Sequence, residues 1–353
     1  MFEGLRVLIT GGTGSLGKVL VRRILSGEMG TPEKVIVLSR DEAKQHDMRV
    51  SYLHKQVTTD EVIYDNYRRK LEFRIGDVRN YSDVCSAMWD SDIVINAAAL
   101  KQVPTCEYFP FQAVMTNCVG AQNIVRAITE ARIPIKTIVG ISTDKACKPV
   151  NVMGMTKSIQ ERIFISSNIV SDTRAICVRY GNVMASRGSV IPLFHQQIQS
   201  GGPVTITAPN MTRFLLTIDQ AVDTVFAALK EASPGEIYVP NAPAATVSNI
   251  AKVLVENTAV EMTITGVRPG EKMHEIMISE QEIHHAVKRG EYFSILPMLP
   301  ELLDSSIKIE QAFSTEFSSE DSVLDISGTR VLLQKHDLLI GAENLSEGGE
   351  LLR

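Results

Sequence analysis

The sequence predicts an α/β fold: a Rossmann-type doubly wound parallel sheet with a smaller mixed α/β substrate lobe. Three observations predict it. Over the first 180 residues, short β-branched runs alternate with longer helical patterns. A glycine triplet follows the first run directly. After Arg179 the alternation gives way to a stretch rich in Gly, Pro, Ser and Asn. Alternation of this kind implies parallel strands joined by right-handed crossovers.

Taken in order, strands are expected over 6–10, 34–38, 71–75, 93–97, 136–142 and 174–179. They are nearly continuous apolar runs, as strands covered on both faces should be. Helices are expected near 15–27, 41–56, 80–90, 110–132 and 154–168. Beyond them come a short helix near 190–200, amphipathic helices over 218–231 and 248–257, and a strand over 262–265. Residues 1–182 are therefore expected to form the nucleotide-binding domain, with a helix over 216–232 returning to it. Residues 183–340 form an interleaved lobe, and 341–353, rich in Gly and Glu, a flexible tail.

Length and charge bound the function. A chain of 353 residues suits about two domains. A net charge of −5 argues against a nucleic-acid binder, which would carry a basic face. Charged residues at 22% and apolar residues at 44% are an ordinary globular balance. The longest apolar runs are too short to span a bilayer. Met1 leads directly into a strand and a Gly-rich turn, so a cytoplasmic enzyme without membrane insertion is expected. Cys85, Cys106, Cys118, Cys147 and Cys177 form no CxxC pair and read as free thiols. His274, His284 and His285 have no zinc spacing, and no metal is expected.

The nucleotide end reads Gly11-Gly12-Thr13-Gly14-Ser15-Leu16-Gly17, between a strand and a helix. Gly11 permits the tight turn, Gly14 the approach of a pyrophosphate, and Gly17 close packing of helix on strand. The helix start then offers free N–H groups to phosphate. The second strand ends in Ser39-Arg40, with Lys44 one turn on. An acid at that tip would select NAD through the ribose 2′-hydroxyl. A cation suits a 2′-phosphate, so NADP is preferred over NAD, the other reading of Arg40 being a solvated surface charge. Asp77 and Val78 follow the third strand, where the carboxylate can accept from the adenine amino group. Ala97, Ala98 and Ala99 follow the fourth, small enough for backbone to lie against a cofactor.

These pieces together resemble the extended short-chain dehydrogenase/reductases. Further motifs resemble nucleotide-sugar 4,6-dehydratases: Leu100-Lys101-Gln102-Val103-Pro104, Ser142-Thr143-Asp144-Lys145-Ala146, Arg179-Tyr180-Gly181-Asn182-Val183, Ser186-Arg187-Gly188-Ser189-Val190, Met211-Thr212-Arg213-Phe214 and Arg268-Pro269-Gly270-Glu271-Lys272. The nearest group is the inverting UDP-N-acetylglucosamine 4,6-dehydratases of flagellin-glycan and capsule biosynthesis, with the CapE and CapD-like polysaccharide proteins. The superfamily signature is YxxxK. Here Met153-Gly154-Met155-Thr156-Lys157 stands in its place, an MxxxK variant shared with that group. A thioether cannot carry a catalytic proton, so Met153 is expected to be a packing residue.

The resemblance implies hydride transfer from sugar C4, loss of water across C5 and C6, and return of hydride to C6. It assigns Lys145 as the C5 base, with its pKa lowered beside a cationic nicotinamide, and Asp144 as the acid at O6. Lys157 is implied to hold the nicotinamide ribose. Thr143 positions O4 but is a poor base, and a water relay to Asp144 or Lys145 is the alternative. Lys101 either contacts sugar or phosphate or is a solvated loop lysine. Asn182, Arg187, Ser189, Arg213, Arg268 and Glu271 are implied to hold the UDP part, arginines being suited to phosphate. A homo-oligomer, in some relatives a hexamer, is implied too. Two other functions fit parts of the sequence: a UDP-hexose 4-epimerase, which needs no C5 base, and a catalytically silent NADP-binding sensor.

Overall fold

A computed structural model describes residues 1–53, 66–186, 188–303 and 309–340. Arg187 and the expected tail over 341–353 lie outside the described residues, as does the end of the helix expected over 41–56.

Six parallel strands form the predicted sheet: β1 (Arg6–Thr10), β2 (Lys34–Ser39), β3 (Leu71–Ile75), β4 (Ile93–Asn96), β5 (Thr137–Ile141) and β6 (Arg174–Val178). Their order is β3-β2-β1-β4-β5-β6. It reverses between β1 and β4, and a doubly wound sheet opens its ligand crevice there, at the carboxyl ends of the strands.

Alternation along the strands sorts side chains into two cores. Leu8, Ile36, Val94 and Ile138 face one side, against Val84, Met88, Ile124 and Phe164. Val7, Ile9, Val35, Val37, Ile95 and Val139 face the other, against Leu20, Ile24, Val225 and Leu229. The first side is covered by α3 (Tyr81–Met88), α6 (Gly120–Thr129) and α7 (Val152–Val170), the second by α1 (Ser15–Leu25) and the helix Ile218–Glu231. Between α1 and α3 lies α2 (Glu42–Leu53).

The single helix expected over 110–132 is three pieces. After α4 (Val103–Tyr108) come α5 (Pro110–Ala113), a π-helical turn over Val114–Val119, and then α6. The extra residue in a π turn re-aims side chains, often at functional sites. Here the turn delivers Asn117, fully buried. Its amide oxygen accepts from Leu100 N at 2.9 Å, while its amide nitrogen donates to Leu100 O at 3.0 Å and Thr156 Oγ1 at 2.9 Å. The segment after β4 is thereby tied to α7.

Past β6 the chain moves between two bodies. Three strands extend the large sheet beyond β6: β10 (Ile237–Pro240), parallel to β6, then β15 (Tyr292–Ile295) and β14 (Ala286–Arg289), both antiparallel to their neighbours. The other elements build a smaller core of Met184, Ile191, Phe194, Val204, Ile206, Met211, Leu215, Ile250, Leu254 and Leu333. A four-stranded sheet runs through this lobe, formed by β17 (Val323–Leu324), β11 (Ala244–Thr246), β9 (Thr212–Leu216) and β7 (Asn182–Val183). The loop-rich reading of the stretch after Arg179 missed β7, β8 (Val204–Ile206) and β9, because strands of two to five residues carry too little periodicity to register.

Candidate active site

The nucleotide end has the geometry its glycines require. Gly11 sits at φ +66°, and a Cβ there would lie 2.8 Å from the Ala98 backbone. The turns after β1 and β4 therefore touch. A Cβ on Gly17 would meet the Gly12 backbone at 2.4 Å, so only glycine lets α1 start so close to the turn. Gly14, exposed, is the N-cap of α1, and the first turn carries no acid. Ser15 and Leu16 are half-buried behind it. This cradle fits a dinucleotide pyrophosphate.

At the tip of β2, Ser39 Oγ lies 2.9 Å from Thr13 Oγ1. Arg40 Nη1 reaches Asp77 Oδ2 at 3.4 Å, and the Lys44 amine sits 2.7 Å from Asp41 instead of turning to the tip. Arg79, absent from the sequence reading, donates to the same Asp77 oxygen from Nη2 at 2.6 Å and Nε at 2.8 Å. These arginines hold the Asp77 carboxyl below its usual range. Val78 turns its side chain into the core against Gly120, and its carbonyl accepts from Asn123 at 2.9 Å. Only its backbone is left to face a cofactor. Ala97, Ala98 and Ala99 are half-buried at the crevice, and Lys101 is exposed just beyond.

Across the crevice, the turn after β5 is pinned by β6, with Asp144 N donating to Tyr180 O at 3.0 Å. Asp144 is fully buried. Its Oδ1 accepts from Thr143 Oγ1 at 2.8 Å and from Lys145 Nζ at 3.0 Å. Thr143 is thus spent on Asp144. Lys145 Nζ also lies 3.2 Å from Glu275 Oε1 and 3.5 Å from Asn182 Oδ1.

The lowered pKa expected for Lys145 is corrected here. Burial alone would lower it, but the charges of Asp144 and Glu275 outweigh burial and raise it, so the amine rests as an ammonium. No acid near Lys145 was foreseen other than Asp144. Glu275 lies only four residues past Glu271, in a segment whose fold the sequence did not disclose.

The amine of Lys157 instead has a lowered pKa, at about 8, driven by burial. Its amine donates to Ile141 O at 2.7 Å and Gln160 Oε1 at 3.0 Å. Met153, one turn before it, is buried against Cys106 and Ala113, with Leu100, Val103 and Val152 around them. It packs and does no more.

The expected UDP-binding residues fall into two groups. Asn182 is at the site, and Ser189 is the N-cap of the helix Val190–Gln199 nearby in sequence, its buried hydroxyl without a partner among the described residues. Arg213 is buried, donating to Thr212 O at 2.7 Å and Met273 O at 3.3 Å, with its Nε 3.9 Å from Glu275 Oε1. Its guanidinium serves this loop rather than lying open. Arg268 and Glu271 close one exposed turn, Glu271 N donating to Arg268 O at 3.1 Å. That turn reaches the start of α7, where Asn151 Nδ2 donates to Gly270 O at 2.7 Å.

Residues 7–297 match the model of a family described as "Polysaccharide biosynthesis protein". The chain belongs to the polysaccharide biosynthesis protein family. A Rickettsia bellii protein named UDP-glucose 4-epimerase is 44% identical over 301 residues, covering 84% of each chain. The X-ray structure of Pen from Bacillus thuringiensis is 33% identical with a TM-score of 0.84, covering 96% of this chain and 100% of that one. The fold is also that of DesIV, a dTDP-glucose 4,6-dehydratase from Streptomyces venezuelae, with a TM-score of 0.65 at 19% identity, over 76% of this chain and 87% of DesIV. The family member described here thus has a Rossmann-type fold shared with solved nucleotide-sugar epimerases and dehydratases.

Proposed function

We propose that this family member is an NADP-dependent UDP-N-acetylglucosamine 4,6-dehydratase, a lyase that inverts C5 and makes a 4-keto-6-deoxy sugar nucleotide for surface polysaccharide. The observation that carries the reading is the contact between Asp144 and Lys145, 3.0 Å apart at the crevice, with Met153 buried where a tyrosine would serve. Eliminating water needs a base at C5 and an acid at O6, and an amine beside a carboxyl is such a pair.

The Gly11–Gly17 turn and α1 would hold the pyrophosphate, Lys157 the nicotinamide ribose, and Arg40 a 2′-phosphate. When bound, the oxidised cofactor supplies a hydride acceptor for C4 and a donor for C6. Asn182, Arg187, Ser189, Arg268 and Glu271 are proposed to hold the UDP part, and Lys101 to reach the sugar or a phosphate. Arg213 contributes positive charge from behind Glu275. Once the ammonium proton of Lys145 has passed to Asp144, Lys145 takes the C5 proton at Nζ, and Asp144 delivers its proton to O6.

A second reading has its own support. Curated relatives at 41–44% identity are named UDP-glucose 4-epimerase. Incubation with UDP-N-acetylglucosamine and NADP⁺, followed by mass spectrometry and NMR in heavy water, separates the two. Dehydration removes one water and deuterates C5. Epimerisation keeps the mass and changes only C4, and that result would retire the dehydratase reading.

A cytoplasmic homo-oligomer belongs to the same proposal. Among the described residues no helix is long and apolar enough to cross a membrane. Packed together, α4, α5 and α7 leave Tyr108, Phe111, Met155 and Ile159 exposed, an apolar face on which a second copy would seat. Light scattering of the wild type against Ile159→Glu tests this, a smaller particle being expected for the variant.

A further inference from the structure

Two buried carboxylate oxygens around Lys145 have no hydrogen-bond partner among the described residues, Asp144 Oδ2 and Glu275 Oε2. Their residues are 0% and 1% exposed. Their other oxygens converge on one amine, Lys145 Nζ, at 3.0 and 3.2 Å. Buried carboxylates are costly unless cations pair them, and Lys145 is nearer to Glu275 than Arg213 is, Arg213 Nε lying 3.9 Å from Glu275 Oε1.

Glu275 is held independently of the amine. Its N donates to Ser319 Oγ at 2.9 Å, and Ser319 N donates back to Glu275 O at 2.8 Å. Ser319 Oγ lies 2.7 Å from Thr212 Oγ1, which ties the pair to β9. The main chain of Glu275 is therefore held without Lys145, whose amine meets the carboxylate at 3.2 Å.

We infer that Glu275 is a positioning residue of the dehydration step, which fixes the Lys145 amine between two acids and sets the pH up to which the triad keeps the proton that Lys145 shares with Asp144. The inference rests on the dehydratase reading for the use made of Lys145.

The proton count closes inside the triad. One proton passes from Lys145 Nζ to Asp144, turning ammonium and carboxylate into amine and carboxylic acid. The amine takes the C5 proton, and the C5–H electron pair becomes the C5–C6 double bond. The C6–O bond breaks, and its oxygen leaves as water with the Asp144 proton. Ammonium and carboxylate are restored, with no outside acid.

Charges face Lys145 from every side. Asp144 lies on its own turn and Glu275 just before β13 (Ile276–Ile278), and both favour the ammonium. Arg213 from β9 opposes it, and so does Lys272, whose amine donates to Cys147 O at 2.6 Å. Asn182 adds a neutral acceptor. Removing the Glu275 charge tips this balance toward the free amine.

The test compares wild type, Glu275→Gln and Glu275→Asp with NADP⁺ and UDP-N-acetylglucosamine. The rate of water loss is followed across the neutral and alkaline range. Acylation of Lys145 by acetic anhydride, read by peptide mass spectrometry at each pH, runs in parallel. In Glu275→Gln the alkaline falling limb of the rate profile, where the triad loses the proton Asp144 must deliver, and the acylation midpoint should both move down by about 1 pH unit or more. Glu275→Asp, which keeps the charge, should stay near the wild type. Unmoved midpoints in Glu275→Gln overturn the inference, even if the rate falls, because a merely structural glutamate would lower kcat without moving the profile. If Glu275→Gln does not fold, an Asp variant with a wild-type rate but a midpoint shifted as far as charge removal predicts overturns it as well. A wild type that loses no water overturns the dehydratase reading instead, and the acylation midpoints still decide on Glu275.

Discussion

Lys157 and Ile141 are joined side chain to main chain: the buried amine donates to the carbonyl oxygen at 2.7 Å, at the last residue of β5. Burial brings the amine from 10.5 down to about 8. That difference corresponds to about 3 kcal/mol as an upper figure. The folded chain binds fewer protons than the unfolded chain between those two values, so stability should rise with pH across that window. Below about 8 the full cost is present. In Lys157→Met this slope should vanish, and the variant should be no less stable than wild type near pH 7. Turnover should nonetheless fall at least ~100-fold if the amine holds the cofactor ribose. Urea unfolding of both proteins at neutral and alkaline pH, with activity alongside, checks the pair of outcomes. A variant that loses stability at neutral pH would contradict the sign.

Met153 offers a sharper test of what replaced the tyrosine. It sits, buried, in a small apolar cluster with Cys106 and Ala113. Met153→Leu conserves volume and should cost less than ~1.5 kcal/mol, with activity close to wild type. Met153→Tyr restores the superfamily signature but overpacks the cluster, and should cost about 1–3 kcal/mol without a gain in rate. A large rise in kcat for the tyrosine variant would show that the site still lacks a proton carrier.

The elements with long periodicity were legible in the sequence. β1 and β3 run where expected, and the helix Ile218–Glu231 starts and ends where its amphipathic pattern does. A capping box from Thr217 and Gln220 fixes that start. The Asp144–Lys145 pair was legible because both residues lie in one short segment. Glu275 was not, because its approach depends on a two-stranded pairing of Ile276–Ile278 with Phe317–Ser318 across some forty residues. The protonation of Lys145 was misread for the same reason: the second carboxylate that raises it comes from far along the chain. Arg79 escaped because a cation two residues past Asp77 carries no periodic signal.

Arg179, just after β6, joins α7 to the segment between β13 and β14 through two acids. Its guanidinium donates to Glu161 Oε2 at 2.8 Å and Glu282 Oε2 at 3.0 Å, all three residues buried. Ser142 donates to Glu161, so the network ends directly beneath Thr143 and Asp144. Arg179→Ala leaves two buried carboxylates facing each other, and should cost about 3–5 kcal/mol in urea unfolding.

Glu282 makes the acid side of that network measurable. Arg179 and the hydrogen bonds from Ser279 hold its carboxyl at about 2, against an ordinary 4.5. A lowered acid stabilises fully above the unfolded value and loses that contribution as pH falls toward the folded one. The wild type should therefore lose up to about 3 kcal/mol from this group between pH 4.5 and 2. In Glu282→Gln that slope should be absent, the variant being less stable at neutral pH and converging on wild type in acid. Parallel curves for the two proteins would mean the pair contributes nothing to acid sensitivity.

Arg40 decides between two cofactors by a single charge. Its guanidinium is half-exposed and its contact with Asp77 is long, 3.4 Å, while Arg79 already occupies that carboxylate at 2.6 Å. Turning Arg40 toward a 2′-phosphate therefore leaves no buried acid unpaired. A charge-assisted hydrogen bond of about 1.5–3 kcal/mol corresponds to roughly 10- to 100-fold in affinity. Arg40→Ala should weaken NADP⁺ by about that factor in calorimetric titration and leave NAD⁺ within about twofold. Lys44→Ala should do less, since its amine is held by Asp41 at 2.7 Å. Equal loss for both cofactors in Arg40→Ala would mean the residue acts through Asp77 and the adenine end, and the preference for NADP would have to come from elsewhere in the β2 tip.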